Sequence, residues 1–115
     1  MKTSSLAFGL VFAAFLAVSA CGTIRRGEPI IGAHAPPNEG VARGLVAFDR
    51  FCSQCHPGGE AGLGPALNNK PAPAFLIKFQ VRHGLGAMPS FSREVISPEE
   101  LQDITRYLVW LRHTP

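Results

Sequence analysis

Two thiols and an imidazole stand together in Phe51-Cys52-Ser53-Gln54-Cys55-His56. At this spacing each thiol can add to one vinyl group of a porphyrin while the adjacent imidazole coordinates the iron, which is the pattern of c-type haem attachment. On a helix turn and its exit, positions i and i+3 project to the same side, so Cys52 and Cys55 can meet one macrocycle edge with His56 as the proximal ligand. The same cysteines could hold zinc, but two more ligands would have to come from His34, His83 or His113, none at finger-like spacing. A redox dithiol would want a preceding strand, and no β-branched run supplies one.

The elements around the motif narrow these choices. Asn38-Glu39 is a helix start, with Asn as N-cap and an acid in the first turn. Val41, Leu45, Phe48 and Cys52 follow at helical spacing, so one face of this helix is apolar and leads into the motif. Gly44 lies on that face and costs about 1 kcal/mol against alanine there, which points to a close crossing with another helix. Gly44 and Phe48 stand eight and four residues before Cys52, as the glycine and the aromatic do in class I cytochromes c, which this segment resembles.

Pro57 to Gly64 reads as a glycine-rich loop wrapped close to a flat ligand. It runs into Gly64-Pro65-Ala66-Leu67, which is similar to the Gly-Pro-x-Leu segment of the same family. The resemblance implies that the Pro65 carbonyl accepts the Nδ1 proton of His56 and turns Nε2 toward the iron, with Leu67 covering the same side.

Asn68 to Pro73 breaks the chain again, and Ala74 to His83 is a short helix closed by Gly84. Met88 then stands in Gly84-Leu85-Gly86-Ala87-Met88-Pro89-Ser90-Phe91, where glycines let backbone approach a porphyrin and Pro89 stiffens the loop. Met1 leaves with any signal, so Met88 would be the sole thioether of the mature chain. The segment resembles the Gly-x-Gly-x-Met-Pro-x-Phe loop of small bacterial cytochromes c, which implies Met88 as distal iron ligand. His83 is the competing ligand; bis-His iron would have a lower potential than His/Met iron.

Ser97-Pro98-Glu99-Glu100 opens the last helix with an N-cap, a proline at N1 and a capping-box glutamate. Leu101, Ile104, Leu108 and Leu111 form its apolar stripe, flanked by Tyr107 and Trp110. In the resembled family this helix crosses the first one beside the glycine. The fold expected is all-α, the cytochrome c fold, with three main helices around one covalently attached haem c and Gly/Pro-rich loops. A domain of ~80 residues is marginal without a staple, and the haem is that staple.

Residues 1–20 read as an export signal: Lys2, an apolar run from Leu6 to Val18, then small residues. The run falls short of the ~20 residues of a comfortable membrane span, leaving a membrane-anchoring helix as the weaker reading. Val18-Ser19-Ala20-Cys21 resembles the lipobox of bacterial lipoproteins, which implies lipidation of Cys21; an ordinary signal peptidase would also accept it and leave a soluble periplasmic product. A lipid accounts for Cys21, otherwise an unpaired thiol beside two haem cysteines. Gly22 after it looks like an outer-membrane address in a Gram-negative host. Residues 21–37 form a tether broken by glycine and proline, with His34 in it, and residues 38–115 form the monohaem domain.

The 115 residues carry a net charge of +3. Over residues 38–115, eight Lys/Arg face seven Asp/Glu, and haem propionates would lower that balance further. This disfavours nucleic acid and offers no strong steering field. Lys70, Lys78 and Arg82 are candidates for a local basic rim or a solvated face.

With two protein ligands on iron, no catalytic residues and no small-molecule substrate are expected: the chain reads as an electron carrier, not an enzyme, working with redox partner proteins in the cell envelope through a lipid anchor facing the periplasm. A haem-based sensor, an electron-transfer subunit of a larger oxidoreductase and a zinc-binding structural module stay open at this point.

Overall fold

The computed structural model describes residues 35–114. They form three helices, α1 (Glu39–Phe51), α2 (Ala74–His83) and α3 (Pro98–Leu111), and a 3-10 turn at Pro57–Gly59. Among the described residues there is no strand beyond one isolated bridge, Leu85 to Met88. The expected all-α cytochrome c architecture is found, whereas the signal, Cys21, His34 and nearly all of the tether lie outside the described residues.

Each long helix starts on its expected cap. The Asn38 side chain accepts the amide of Val41 at 3.0 Å. Ser97 accepts from the amide of Glu100 at 3.1 Å while the Glu100 carboxylate takes the amide of Ser97 at 2.9 Å, a complete capping box. Helices of 10 to 14 residues are marginal in water alone, so packing must hold them.

The principal contact is α1 on α3, with α2 meeting α3 over a smaller area. Phe48 and Ile104 are fully buried in this core with Ile96, and Val41, Leu101, Tyr107, Leu108 and Leu111 surround them. Burying a side chain of this size contributes roughly 1.5–3 kcal/mol. Phe48 and Tyr107 meet with ring centroids 5.2 Å apart. Burial, reinforced by Asp49, pushes the Tyr107 phenol up to about 12, so it stays neutral inside.

The crossing is tight at the expected glycine. A Cβ at Gly44 would fall 2.0 Å from the carbonyl oxygen of Asp103 and 2.9 Å from the Cβ of Tyr107. Beside it, Asp103 on α3 accepts Arg43 Nε from α1 at 2.8 Å and Arg106 Nη1 at 2.6 Å, tying the two helices together at the surface of the core.

Candidate haem site

The motif sits on the exit of α1. After the helix closes, the amide of His56 bonds the Cys52 carbonyl at 2.8 Å and that of Cys55 bonds it at 3.1 Å, so the chain makes one further tight turn. This turn holds both half-buried thiols next to a His56 that is 7% exposed. Burial, with smaller contributions from Asp49 and Cys55, pushes the Cys52 thiol up to about 12. Such a thiol is protonated at neutral pH, unlike the low-pKa thiolate of a reactive redox dithiol.

The following loop folds back twice to reach the imidazole. The Gly64 amide donates to the Cys55 carbonyl at 2.8 Å, while the Gly59 carbonyl accepts the amides of Leu67 at 2.8 Å and Asn68 at 3.0 Å. Between these anchors the Pro65 carbonyl lies 2.8 Å from His56 Nδ1. A carbonyl only accepts, so Nδ1 carries the proton and Nε2 of the neutral ring keeps its lone pair.

Gly64 supports the ring from the side: a Cβ there would fall 2.2 Å from Cε1 and 2.8 Å from both ring nitrogens. Any side chain at this position would displace the imidazole. The motif pattern singles out Pro65 in this segment but does not mark Gly64 as the surface on which the ring rests.

Met88 lies in a short turn that follows α2. Leu85 and Met88 exchange amide-to-carbonyl hydrogen bonds of 3.1 and 2.9 Å, with Gly86 at φ 57° between them. Gly84, at φ 71°, ends α2; a Cβ there would meet the Met88 carbonyl oxygen at 2.5 Å, so glycine is required for conformation and for space. Met88 is half-buried and packs against the same core as Cys52, Leu67, Ile77 and Phe91.

His83 behaves differently. It is exposed, its Nδ1 donates to the Phe79 carbonyl at 2.8 Å, and its ring stacks on Phe79 with centroids 4.0 Å apart. Among the described residues no group of three or more His, Cys, Asp or Glu side chains comes together as a metal-ion site.

Of the three candidates for a basic rim or solvated face, Lys78 and Arg82 turn their side chains to partners within the protein. Lys78 Nζ donates to the Gln102 side chain on α3. Arg82 Nη1 donates to the carbonyls of Phe91, Ser92 and Ile96 at 3.1, 2.9 and 2.8 Å. Lys70 offers its carbonyl to Arg112, which also reaches the carbonyl of Ala72, both at 2.8 Å. Lys78 thus links α2 to α3, while Arg82 and Arg112 fasten loop carbonyls to helices, roles that composition does not reveal.

Paired half-buried thiols, an imidazole with one nitrogen engaged and the other carrying a lone pair, and a glycine cradle under that ring form a donor set that fits a covalently attached haem. An open groove between α2 and α3, lined by Phe75, Lys78, Phe79 and Leu101 among others, includes none of Cys52, Cys55, His56, Pro65 or Met88.

Fold and site together define a small c-type cytochrome domain. A family model described as "Cytochrome C oxidase, cbb3-type, subunit III" matches residues 39–108, and the chain belongs to that family. It is 38% identical over 65 residues to the cytochrome c subunit of 4-cresol dehydrogenase [hydroxylating] from Pseudomonas putida, covering 56% of this chain and 57% of that protein. It is 31% identical over 77 residues to cytochrome c6 of Gloeothece citriformis, covering 60% of this chain and 69% of the relative. Cytochrome c6 of Cyanidioschyzon merolae is 34% identical over 77 residues, with 60% and 72% covered. Membership implies one covalently bound haem c, and the Cys52–Cys55–His56 spacing is the one its attachment requires.

Proposed function

We propose that this protein is a one-electron carrier in which Cys52 and Cys55 form the two thioethers and His56 and Met88 are the proximal and distal iron ligands. The haem, when bound, supplies an iron that alternates between ferric and ferrous. The observation that carries the reading is the hydrogen bond from His56 Nδ1 to the Pro65 carbonyl, which leaves Nε2 of a ring braced on Gly64 as the coordinating atom.

The chain's own residues do the positioning. The Pro65 carbonyl fixes the His56 tautomer and the orientation of its ring, as outer-shell acceptors do for metal-bound histidines. Met88 is favoured over His83 because it packs on the core shared with Cys52, while His83 stacks on the exposed ring of Phe79. Two protein ligands leave no coordination position for substrate, so the protein passes electrons between redox partner proteins and is not itself an enzyme. The dehydrogenase subunit among its relatives favours a second form of the same reading, in which the chain serves as the electron-transfer subunit of a larger oxidoreductase.

The chain is exported, cleaved before Cys21 and held to a membrane surface by lipid on that residue, the outer membrane in a Gram-negative host. Residues 21–37 then act as a tether for the haem domain at 38–115.

The deciding experiment is pyridine haemochrome analysis and redox titration of protein made with c-type maturation machinery. One haem per chain, a reversible one-electron wave and loss of covalent haem in Cys52→Ala/Cys55→Ala are expected. A double variant that stays folded and stable with no haem would overturn the haem-centred reading.

A further inference from the structure

Between α2 and α3 the chain runs 14 residues, Gly84 to Ser97, without regular structure, and Met88 lies in its first half. The first half is held by the Leu85–Met88 bridge, which is local and spans only the turn itself. What fixes that turn relative to the helices must come from elsewhere. Besides the packing of Met88 and Phe91 on the core, hydrogen bonds do so: the Phe91 amide donates to the Val81 carbonyl at 2.9 Å, and Arg82 gathers the carbonyls of Phe91, Ser92 and Ile96.

Arg82 stands one residue after Val81, which is buried in the core, and two residues before the φ 71° glycine at which the helix stops. Three carbonyls, from loop positions 91 to 96, converge on one terminal nitrogen at 3.1, 2.9 and 2.8 Å. That nitrogen has two hydrogens, so at least one is shared, and the carbonyl dipoles together make a site that favours a cation. Ile96, whose carbonyl is the third acceptor, is fully buried, so the clamp joins the α2 terminus to the core on the far side of the loop.

We propose that Arg82 is the positioning residue of the Met88 loop: by holding the loop's second half to the end of α2, it keeps the thioether in place and so sets how firmly the distal position is closed. This rests on Met88 being the distal ligand. A thioether is a weak ligand, so it occupies the iron only while the loop's own ordering cost is met by other contacts. Loosening the clamp raises the fraction of time the position is open, and an exogenous ligand binds in proportion to that fraction.

The test compares the parent holoprotein with Arg82→Gln, Arg82→Lys, Met88→Ala and Arg43→Gln. The readouts are the thioether-to-iron charge-transfer band of the ferric protein, its affinity for imidazole, and hydrogen exchange at the Phe91 amide. Losing a charge-assisted donor to three carbonyls is expected to raise imidazole affinity by about tenfold or more in Arg82→Gln, with a weaker band and faster Phe91 exchange.

Arg82→Lys keeps the charge on a shorter reach and is expected to shift all three in the same direction by a smaller factor; it also serves if Arg82→Gln does not fold. Arg43→Gln removes the ion pairs to Glu39 and Asp103, neither of which lies in the loop, and is expected to lower stability while leaving the band and imidazole affinity at parental values. An unaltered band and unaltered imidazole affinity in either folded Arg82 variant, while Met88→Ala abolishes the band, overturns the role of Arg82 and leaves Met88 as ligand. A band that persists in Met88→Ala overturns the ligand assignment, and this proposal with it.

Discussion

Gly44 in α1 lies directly against the carbonyl of Asp103 in α3, so close that a methyl group at Gly44 would overlap the carbonyl oxygen at 2.0 Å and its carbon at 2.6 Å. Both atoms belong to helix backbone and cannot rotate aside. The crossing of α1 and α3 therefore depends on one missing side chain, and α1 carries the motif at its end.

Gly44→Ala is accordingly expected to destabilise the holoprotein by about 1–3 kcal/mol, because overpacking at a rigid contact outweighs the gain of up to ~1 kcal/mol in helix propensity. Denaturant unfolding followed by far-UV circular dichroism measures it. Equal or greater stability in the variant would show that the helices can separate at little cost.

A pH dependence follows from the same crossing. The hydrogen bond from Arg43, helped by Arg106 and opposed by burial, holds the Asp103 carboxyl below the usual carboxylate range. A depressed folded-state pKa means that this carboxylate contributes stability above its unfolded pKa of about 3.9 and loses it as pH falls through the lower folded value. Asp103→Asn should be less stable than the parent at neutral pH, with the difference shrinking in acid. Unfolding curves from neutral to acid pH, parent against variant, provide the check, and a gap that stays constant would remove Asp103 as the source.

The ligand assignment separates two variants. Met88→Ala is expected to admit exogenous imidazole or carbon monoxide, and Met88→His to remain six-coordinate and low-spin at a lower potential, since imidazole favours ferric iron more than a thioether does. His83→Ala should change neither ligand access nor coordination, because that ring stacks on Phe79 at the surface. Redox titration with ligand-binding spectra decides; an effect confined to His83→Ala would transfer the distal role to His83.

For the N-terminus, Cys21→Ser is expected to move the domain from the membrane fraction to the soluble periplasmic fraction with an unchanged visible spectrum. A single acyl chain anchors only marginally, whereas the multiple chains of a lipoprotein hold firmly, so the shift should be nearly complete. Retention at the membrane after this change would point to an uncleaved apolar helix instead.

What the sequence by itself determined is whatever short-range chemistry specifies. Cys52, Cys55 and His56 act within one turn; Asn38 and the Ser97–Glu100 pair cap helices within three residues; Gly84 must be glycine where α2 ends because φ is positive there. Even the close approach at Gly44 was legible, since a glycine on the apolar face of a helix weakens that helix unless a second backbone has to pass against it. The uses of the long cations were not. Arg43 meets Asp103 across 60 residues, Arg112 reaches Lys70 and Ala72 across 42 and 40, and Arg82 collects carbonyls 9 to 14 residues ahead. A long cation can serve solvent, a carboxylate or a backbone oxygen, and only the return path of the loops, decided by how α1, α2 and α3 pack, brings one of these within reach. Gly64 belongs with them: its lack of a side chain matters because folding lays the His56 ring across it.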